Sequence, residues 1–500
     1  MTTPATDVAS WLAEHAAVTT RGDLDVAVSG VSLSTARVHP GDLYAALPGS
    51  RVHGADFADG AMSAGAVAVL TDPDGLARIA DDVPAIVVPD PRAVLGGVAA
   101  RVYGRPADRL RMIGITGTQG KTTTTRLLEQ GLTSAGVRAG VVGTLGTRIA
   151  GHDMVTQLTT PEAPDLHGLF AVMAERDVDT CAMEVSSHAL VQGRVDGVVF
   201  DVATFLNLGR DHLDFHADLD DYFAAKAALF TTQRARRGLT NVDDEHGRRL
   251  LDRATIPMST FSTRGADADW QARDIDLAAS GARFTVAGPA GTFPASVSVP
   301  GAFNVANALA AIASAGLAGL DPRLVADGIA SGGGVPGRLE PVDSGQDFTV
   351  VVDYAHKPDA VEAVLTTLRP LTAGRLIVVI GAGGDRDPGK RPIMGALSAR
   401  LADMVIVTDD NPRTEDPAAI RAALLAGAHG TGAEVLEVGD RRLAIREALR
   451  RASPGDVVLI AGKGHETGQE VHGEVHPFDD RVVAADELRI LVTTPGKAAR

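Results

Sequence analysis

Short apolar runs separated by amphipathic stretches recur along the chain, a pattern typical of alternating strands and helices. One run, 110–115, is followed by a polar turn and by the amphipathic stretch 126–132. Comparable runs lie at 66–70, 85–88, 137–142, 180–185, 199–208, 348–352, 375–380, 404–407 and 457–460. Near Ala272 the pattern changes to hairpin-like strands at 282–286 and 296–299, followed by a helical stretch over 302–316. We therefore expect an α/β fold in which most strands are parallel.

The turn after the run 110–115 is rich in glycine. Gly117 and Gly120 allow backbone N–H groups to converge on an anion at the positive end of the following helix. Lys121 adds a point charge near the outer phosphates, and the hydroxyl of Thr122 is suited to Mg²⁺. The strict phosphate-loop template has a glycine where this chain has Ile115. The context of strand, turn and helix still predicts an ATP or GTP site.

The pattern of apolar runs changes at two segments rich in glycine and proline, Gly104-Arg-Pro-Ala107 and Gly332-Gly-Gly-Val-Pro-Gly337. They predict three domains. These are a small N-terminal α/β domain over 1–107, a central domain over 108–334 with a mostly parallel sheet like that of phosphate-loop ATPases, and a Rossmann-like C-terminal domain over 335–500.

Composition narrows the choice of function. The chain has 500 residues, and its 45% hydrophobic content is ample for several cores. A formal net charge of −16 argues against a nucleic-acid surface, which needs a basic face. A single cysteine, Cys181, excludes intrachain disulfides and fits a reducing compartment. No stretch reaches the roughly 18 apolar residues of a membrane span. We expect a cytoplasmic protein with no membrane insertion and no nucleic-acid partner.

Polar residues follow the strands next to the phosphate loop, where doubly wound sheets bind ligands. Glu184 lies near the end of the run 180–185, and His212 follows the run 199–208. Together they suit a divalent cation that bridges to ATP, although each alone is equally explained as a satisfied polar group. Lys226 lies among alanines, where an ammonium is costly unless it is paired or modified. Spacing alone also allows a lysine that extends to solvent.

Eight short motifs occur in an order and spacing that resemble the Mur ligase family, and they span nearly the full chain. They are Thr116-Gly-Thr-Gln-Gly-Lys-Thr122, Thr159-Thr-Pro-Glu162, Glu184-Val-Ser-Ser-His188, Asn207-Leu-Gly-Arg-Asp-His-Leu-Asp214, Asp353-Tyr-Ala-His356, Gly383-Gly-Asp-Arg386, Asp410-Asn-Pro-Arg413 and Lys463-Gly-His-Glu466.

The resemblance implies an ATP-driven amide ligase of peptidoglycan biosynthesis. In the family, ATP phosphorylates the D-glutamate side-chain carboxylate of UDP-N-acetylmuramoyl-L-alanyl-D-glutamate, and an amine then attacks the acyl phosphate. The implied catalytic residues are Lys121, His212, Arg338 and Lys226, the last as a carbamate (N6-carboxylysine). The implied ATP contacts are Gly117, Thr118, Gly120, Lys121, Thr122, Thr123, Asn304, Asn307, Tyr354 and His356. The implied Mg²⁺ ligands are Thr122, Glu184, His212 and carbamylated Lys226. Helix capping is the alternative for the two asparagines.

The resemblance also implies contacts to the UDP-muramoyl dipeptide at Thr35, Thr159, Thr160, Ser186 and Arg194. Hydroxyls and a guanidinium suit its phosphates and carboxylates, while a surface ion pair is the alternative for Arg194. The first domain departs from the family pattern. Ser34 and Ala36 stand where an acid and an arginine are usual.

The residues that indicate the amino-acid substrate lie in the predicted third domain. An amino acid with a second ammonium and carboxylate at its far end calls for a planar cation and a carboxylate in one pocket. Asp410-Asn-Pro-Arg413 resembles the segment found in family members that add meso-diaminopimelate. The resemblance implies contacts at Arg386, Asp410, Asn411, Arg413, Gly462 and Glu466. The alternative is that Asn411 and Pro412 only form a turn.

Three functions remain open from the sequence. The favoured one is a ligase, acting as a monomer on ATP, the UDP-muramoyl dipeptide and meso-diaminopimelate. The second is a lysine-adding or other Mur-type ligase, including a relative of folylpolyglutamate synthetase. The third is a nucleotide-binding regulator on a retired ligase scaffold, which the residues Ser34 and Ala36 suggest.

Overall fold

Parallel strands with helices between them form the fold, as the apolar runs predict. The computed structural model describes residues 2–156, 158–213, 215–278, 281–430 and 432–493. These residues form two compact units. The first comprises the described residues up to Gln271 with Gly288–Gly291 and Leu309–Gly328. The second comprises Ala272–Ala287, Thr292–Ala308 and the described residues from Ile329 onwards.

The N-terminal part of the first unit contains a five-stranded sheet in the order β2-β7-β6-β5-β4, parallel except for the β2–β7 pair. Its elements are β1 (Thr3–Pro4), α1 (Ala5–Ala13), β2 (Thr19–Arg21), β3 (Ala27–Val28), β4 (Gly30–Ser32), β5 (Asp42–Ala45), α2 (Ala58–Ser63), β6 (Ala68–Thr71), α3 (Pro73–Leu76), β7 (Ala85–Val87) and α4 (Pro91–Val102). The apolar runs 66–70 and 85–88 thus correspond to β6 and β7.

A second sheet follows, with the order β11-β10-β9-β12-β8-β13-β14-β15-β16, and β16 belongs to the same unit only over Trp270 and Gln271. Its elements are β8 (Arg111–Thr116), α5 (Lys121–Ser134), β9 (Ala139–Gly143), β10 (Gly146–Ile149), β11 (His152–Met154), α6 (Ala163–Glu175), β12 (Thr180–Glu184), α7 (Ser187–Val191), β13 (Val202–Phe205), α8 (Leu219–Ala227), β14 (Gly238–Asn241), α9 (Glu245–Leu251), β15 (Met258–Ser262) and β16 (Trp270–Ala278). Along this order, the strands from β9 through β12, β8, β13, β14 and β15 to β16 pair in parallel. β10 pairs antiparallel with both β9 and β11.

This order places β8 between β12 and β13, so their carboxyl ends lie side by side. The phosphate loop follows β8, Glu184 ends β12, and the segment with His212 follows β13. Cys181 lies in the core of this sheet with no exposed surface, and burial raises the pKa of its thiol to about 12. It therefore fills space and does not act as a nucleophile.

The hairpin-like pattern corresponds to β17 (Gly281–Gly288) and β18 (Gly291–Val297), and the predicted helix is α10 (Ala302–Leu317), followed by α11 (Pro322–Ser331). The second unit then contains β19 (Glu340–Pro341), β20 (Thr349–Asp353), α12 (Pro358–Leu368), β21 (Leu376–Ile380), α13 (Lys390–Leu401), β22 (Met404–Val407), α14 (Pro417–Ala428), β23 (Glu434–Glu437), α15 (Arg441–Arg451), β24 (Val457–Ala461), β25 (Gly468–Val471), β26 (Glu474–Pro477) and α16 (Asp480–Thr493).

The C-terminal sheet has the order β19-β20-β24-β21-β22-β23 and is parallel apart from β19. The carboxyl ends of β20, β21, β22 and β24 therefore lie at one edge, where four of the eight motifs follow them. β25 and β26 form a separate antiparallel hairpin. The domain bounds 1–107, 108–334 and 335–500 stay predictions, and Met1, Asp214 and 494–500 lie outside the described residues. In the part of the chain that is described, no helix has the length and apolar character needed to cross a membrane.

Candidate active site

The phosphate loop connects β8 to α5, as the sequence predicts. Gly120 is the N-cap of α5 with φ +86°, a left-handed conformation that glycine adopts without strain. Asn207 holds the turn, because its carbonyl accepts from Thr118 N at 3.0 Å and its side chain accepts from Gln119 N at 2.9 Å. The loop and the first turn of α5 present partial positive charge to an anion.

Two lysines converge on one carbonyl oxygen of this loop. Lys121 Nζ donates to Gly117 O at 2.7 Å, and Lys226 Nζ donates to the same oxygen at 3.0 Å. Lys226 also lies over the ring of Tyr222, 4.5 Å from its centroid. Two ammonium groups this close repel each other. An anion bound at the loop would relieve that repulsion.

The burial of Lys226 has another cause than its sequence neighbours suggest. The alanines around it are exposed or half-buried in α8: Ala224, Ala225, Ala227 and Ala228. The side chain of Lys226 is buried because it contacts Tyr222 and the phosphate loop. Lys226 is thus buried in α8, and the alternative of a lysine that extends to solvent is wrong.

Glu184 and His212 occupy neighbouring strand ends. The buried carboxylate of Glu184 accepts from Thr144 N at 2.8 Å and from Thr144 Oγ1 at 3.1 Å. His212 has φ +54°, and its ring centroid lies 4.7 Å from that of His188, in the motif of Glu184. Among the described residues, no three His, Cys, Asp or Glu side chains are grouped to hold a metal. The mixed ligand set implied for Mg²⁺ has only two such residues and stays a prediction.

His216, which the sequence analysis did not single out, connects these two segments. Its Nδ1 lies 3.2 Å from Asp221 Oδ2, and its Nε2 lies 2.9 Å from the hydroxyl of Ser187. His216 N also donates to His212 O at 2.8 Å. This buried histidine thus fixes the segment that carries His212 against the motif of Glu184.

The residues implied for the UDP-muramoyl dipeptide form a hydrogen-bonded group around Glu184. Thr160 Oγ1 donates to Glu184 O at 2.8 Å and accepts from Ser186 N at 3.2 Å. The hydroxyl of Thr159 lies 3.0 Å from that of Thr144. Arg194 Nη1 donates to Thr160 O at 3.2 Å. The structure therefore brings four of the five predicted residues together, while Thr35 begins the 3₁₀ turn Thr35–Arg37 in the N-terminal part.

Glu162 holds the arginine of this group and was missed as a site residue. Its Oε1 lies 2.9 Å from Arg194 Nε, and its Oε2 accepts from Arg92 Nη1 at 2.7 Å. Gln192 accepts from Arg194 Nη2 at 2.6 Å. Arg194 is largely buried in this network and is not a solvated surface residue.

In the second unit, the end of β20 gathers the residues implied for ATP. Arg338 lies over the ring of Tyr354, 4.8 Å from its centroid. Burial raises the pKa of Asp353, although Arg338 and two backbone N–H donors oppose the shift. The ring of His356 lies 4.4 Å from that of Tyr354, and burial together with Lys357 lowers the pKa of His356 to about 4. His356 is therefore neutral near pH 7.

The remaining implied nucleotide residues lie near helix starts. Thr122 and Thr123 are buried in the first turn of α5. Asn304 Nδ2 donates to Pro300 O at 2.7 Å, and Asn307 Nδ2 donates to Asn304 Oδ1 at 3.0 Å. Both asparagines lie inside α10, and in these bonds their amide nitrogens donate, whereas a capping side chain accepts from a backbone N–H. Their contacts to the nucleotide stay a prediction.

The amino-acid pocket implied by the sequence follows β22 and β24. Arg413 has φ +54°, its Nη1 donates to Gly384 O at 2.6 Å, and its Nε lies 3.3 Å from Glu470 Oε2. Gly462 has φ +118°, and a Cβ there would lie 2.4 Å from Asp410 Oδ2. Glycine at this position therefore makes room for the Asp410 carboxylate. Glu466 Oε2 accepts from Asn411 Nδ2 at 2.7 Å, which joins the two loops.

The structure separates the three basic residues that precede and begin α13. Arg391 is buried, and its Nη2 donates to Glu415 Oε1 at 2.8 Å. Lys390 Nζ donates to His356 O at 3.0 Å, and burial lowers the pKa of Lys390. Arg386 is exposed, and its Nη1 donates to Asp385 O at 3.2 Å. Of these three basic side chains, Arg386 is the most exposed and therefore the most accessible to a ligand.

Comparison with known proteins defines the class to which this fold and site belong. Residues 27–103 match the Mur ligase family catalytic domain, 115–315 match the Mur ligase middle domain, and 337–464 match the Mur ligase glutamate ligase domain. The chain belongs to the Mur ligase family. The resemblance inferred from the eight motifs is confirmed.

Within the family, the chain is similar to UDP-N-acetylmuramoyl-L-alanyl-D-glutamate–2,6-diaminopimelate ligases. The enzyme of Streptomyces avermitilis is 55% identical over 474 residues, 93% of each chain. That of Corynebacterium glutamicum is 51% identical over 482 residues, 93% of this chain and 92% of the relative. A solved structure of a ligase with the same name superposes with a TM-score of 0.71 at 34% identity, covering 99% of this chain and all of the other.

Proposed function

We propose that this protein is an ATP-dependent amide ligase that joins 2,6-diaminopimelate to the D-glutamate side chain of UDP-N-acetylmuramoyl-L-alanyl-D-glutamate. The relatives carry this activity in their names over nearly the full length of both chains. The observation that carries the proposal is the pocket in which Arg413 and Glu466 lie on loops joined by Asn411. A guanidinium and a carboxylate together match the distal carboxylate and ammonium of diaminopimelate.

The phosphate loop provides for the first half of the reaction. A carboxylate is a poor electrophile, so an oxygen of the D-glutamate side chain attacks the γ-phosphorus of ATP, and ADP departs. This step brings anions together, and catalysis is mainly electrostatic. Lys121, the loop amides and Arg338 supply positive charge. Thr122, Glu184, His212 and carbamylated Lys226 would hold Mg²⁺, which adds charge at the phosphates.

The amino-acid pocket provides for the second half. The attacking amine must be neutral, so its ammonium first loses a proton to water. Nitrogen then adds to the acyl carbon, and phosphate leaves as the amide forms. Arg413 and Glu466 would fix the distal end of diaminopimelate, so that the reacting amine is presented at a constant place. Thr159, Thr160, Ser186 and Arg194 would hold the UDP-muramoyl dipeptide.

We further propose that the enzyme acts as a monomer in the cytoplasm, the compartment of nucleotide-linked substrates. Conversion of Lys226 to a carbamate would replace one of two repelling ammonium groups with an anion. The repulsion at Gly117 O favours that conversion, because it lowers the cost of losing the Lys226 charge.

The decisive experiment is phosphate release from ATP by the purified protein with the UDP-muramoyl dipeptide. We expect release with meso-diaminopimelate and at least about 100-fold lower kcat/KM with L-lysine, because lysine has no distal carboxylate to bind the guanidinium of Arg413. Equal kcat/KM values for the two amines would favour another Mur-type ligase. Absence of release with either amine would support a regulator on a retired scaffold.

A further inference from the structure

A lysine with no assigned role lies at the centre of the amino-acid pocket. Lys463 follows β24, and its side chain has no exposed surface. Its ammonium donates to Asn411 Oδ1 at 3.0 Å, to Glu466 Oε2 at 3.2 Å and to Gly468 O at 2.6 Å. A lysine ammonium has three N–H donors, so these three acceptors satisfy it completely. One acceptor is a carboxylate, which balances the buried charge.

The three acceptors belong to groups that must keep their orientation in the pocket. Asn411 Oδ1 accepts a second bond from Glu470 N at 3.0 Å, while Asn411 Nδ2 donates to Glu466 Oε2 at 2.7 Å. The Asn411 carboxamide is therefore engaged at both ends within the protein. Glu466 Oε2 takes bonds from both Lys463 and Asn411, which leaves Oε1 to receive an ammonium from the substrate.

The third acceptor, Gly468 O, connects Lys463 to the β25–β26 hairpin. β25 runs beside the segment 410–413: Gln469 Nε2 donates to Asp410 O at 2.7 Å, and Arg413 N donates to Glu470 O at 3.0 Å. Lys463 thus binds three pieces of chain at one point, namely the segment 410–413, the loop with Glu466 and the start of β25.

We propose that Lys463 is a positioning residue for the amino-acid substrate. It fixes the Asn411 carboxamide and the Glu466 carboxylate in the orientation that receives the distal ammonium of diaminopimelate, and it anchors the hairpin beside Arg413. This inference rests on the proposed function. A lysine that only supported folding would alter stability, but it would not distinguish one substrate from the other two.

The test is Lys463→Met, which keeps an unbranched side chain without the ammonium, with Glu474→Gln on β26 as the matched control. Glu474 is exposed on the same hairpin. We expect the KM for diaminopimelate to rise about 10–100-fold, with the KM values for ATP and the UDP-muramoyl dipeptide within about twofold of the wild type. The control should leave all three unchanged. An unchanged KM for diaminopimelate, or equal changes for all three substrates, would overturn the proposal.

Asn411→Leu provides a second test that leaves the lysine in place. It removes the carboxamide that contacts both Lys463 and Glu466 and keeps a branched side chain of similar shape, so we expect the same selective rise in the KM for diaminopimelate. Because the two residues act through one network, the double variant should rise no further than the stronger single variant. Additive effects would contradict the proposal. If Lys463→Met fails to fold, Asn411→Leu decides alone, and a normal KM refutes it.

The wild type separates this inference from the proposed function. A wild-type protein that consumes no ATP with diaminopimelate refutes the function itself. An active wild type with an unaffected Lys463→Met variant refutes only the positioning role.

Discussion

Two buried lysines, one in each unit, meet opposite surroundings. At the phosphate loop, the ammonium groups of Lys226 and Lys121 converge on one uncharged oxygen, Gly117 O. In the amino-acid pocket, the single ammonium of Lys463 meets three acceptors, one of them the carboxylate of Glu466. The first arrangement brings two positive side chains to one oxygen, and the second pairs one positive side chain with a carboxylate.

The difference indicates how each region recognises its ligand. Two positive side chains at the phosphate loop attract phosphates, and the attraction acts over a distance. The hydrogen-bonded network around Lys463 has a balanced charge, so it exerts little attraction at a distance. It holds its side chains in fixed positions, so we expect it to select a substrate by shape and by hydrogen bonding. We therefore expect substitutions at the first lysine to affect catalysis and substitutions around the second to affect the KM of one substrate.

The largest expected effect is at Lys226. Lys226→Ala should lower kcat about 10³-fold, about 4 kcal/mol, because it removes the carbamate proposed to hold Mg²⁺. Added short carboxylic acids should restore part of the rate by occupying the vacated space. Lys463→Ala, assayed in parallel, should show no such rescue. Full activity of Lys226→Ala, measured as phosphate release, would remove the carbamate hypothesis.

His167 extends the comparison of buried basic groups, because its hydrogen bond is to a backbone carbonyl and not to a carboxylate. His167 is fully buried in α6, its Nε2 donates to Asp196 O at 3.0 Å, and burial lowers its pKa to about 4. Below pH 6.5 the unfolded chain binds a proton that the folded histidine refuses, so the free energy of unfolding falls until about pH 4. The loss approaches about 3 kcal/mol. His167→Gln should flatten this part of the profile in denaturant titrations between pH 7 and 4. An unchanged profile would show that other groups govern it.

Arg413 tests recognition by fit directly. Arg413→Ala should raise the KM for diaminopimelate by one to two orders of magnitude, about 1.5–3 kcal/mol, because a hydrogen bond to a charged carboxylate is lost. Arg386→Ala, measured beside it, distinguishes the two arginines. A normal KM in Arg413→Ala would refute the assignment of the pocket.

The smallest effect is expected at Glu470, which orients Arg413 through an ion pair. Glu470→Gln keeps the shape and weakens the 3.3 Å ion pair with Arg413 Nε, so the KM for diaminopimelate should rise only about three- to tenfold. Steady-state kinetics with Glu474→Gln as control would measure it. A rise as large as that of Arg413→Ala would mean that Glu470 binds the substrate itself.

Most of the fold could be predicted because buried parallel strands leave continuous apolar runs. The exceptions have physical causes. The run 199–208 contains a strand only over Val202–Phe205, since Phe200 and Leu206 are buried beyond the strand ends. The hairpin of β10 and β11 is short and partly exposed, so it leaves no clear period.

The residues implied for the site could be named from motifs, but their supports could not. Glu162, His216 and Lys463 lie inside or near motifs, yet their partners are distant in sequence or depend on how the loops fold. Glu162, for example, meets Arg92 from a helix of the N-terminal part. Lys463 lies between two glycines, and no hydrophobic periodicity in the sequence predicts its burial.

His212 and Arg413 both have backbones that glycine would adopt more readily, with φ +54° in each. Replacing either residue with glycine would relieve local strain of the order of 1 kcal/mol. The greater entropy of glycine in the unfolded chain opposes that gain, as does the loss of the bonds from Arg413 to Gly384 O and Glu470. The chain thus holds two side chains proposed for its chemistry on strained backbone, and laboratory selection for heat tolerance alone would show whether turnover is what retains them.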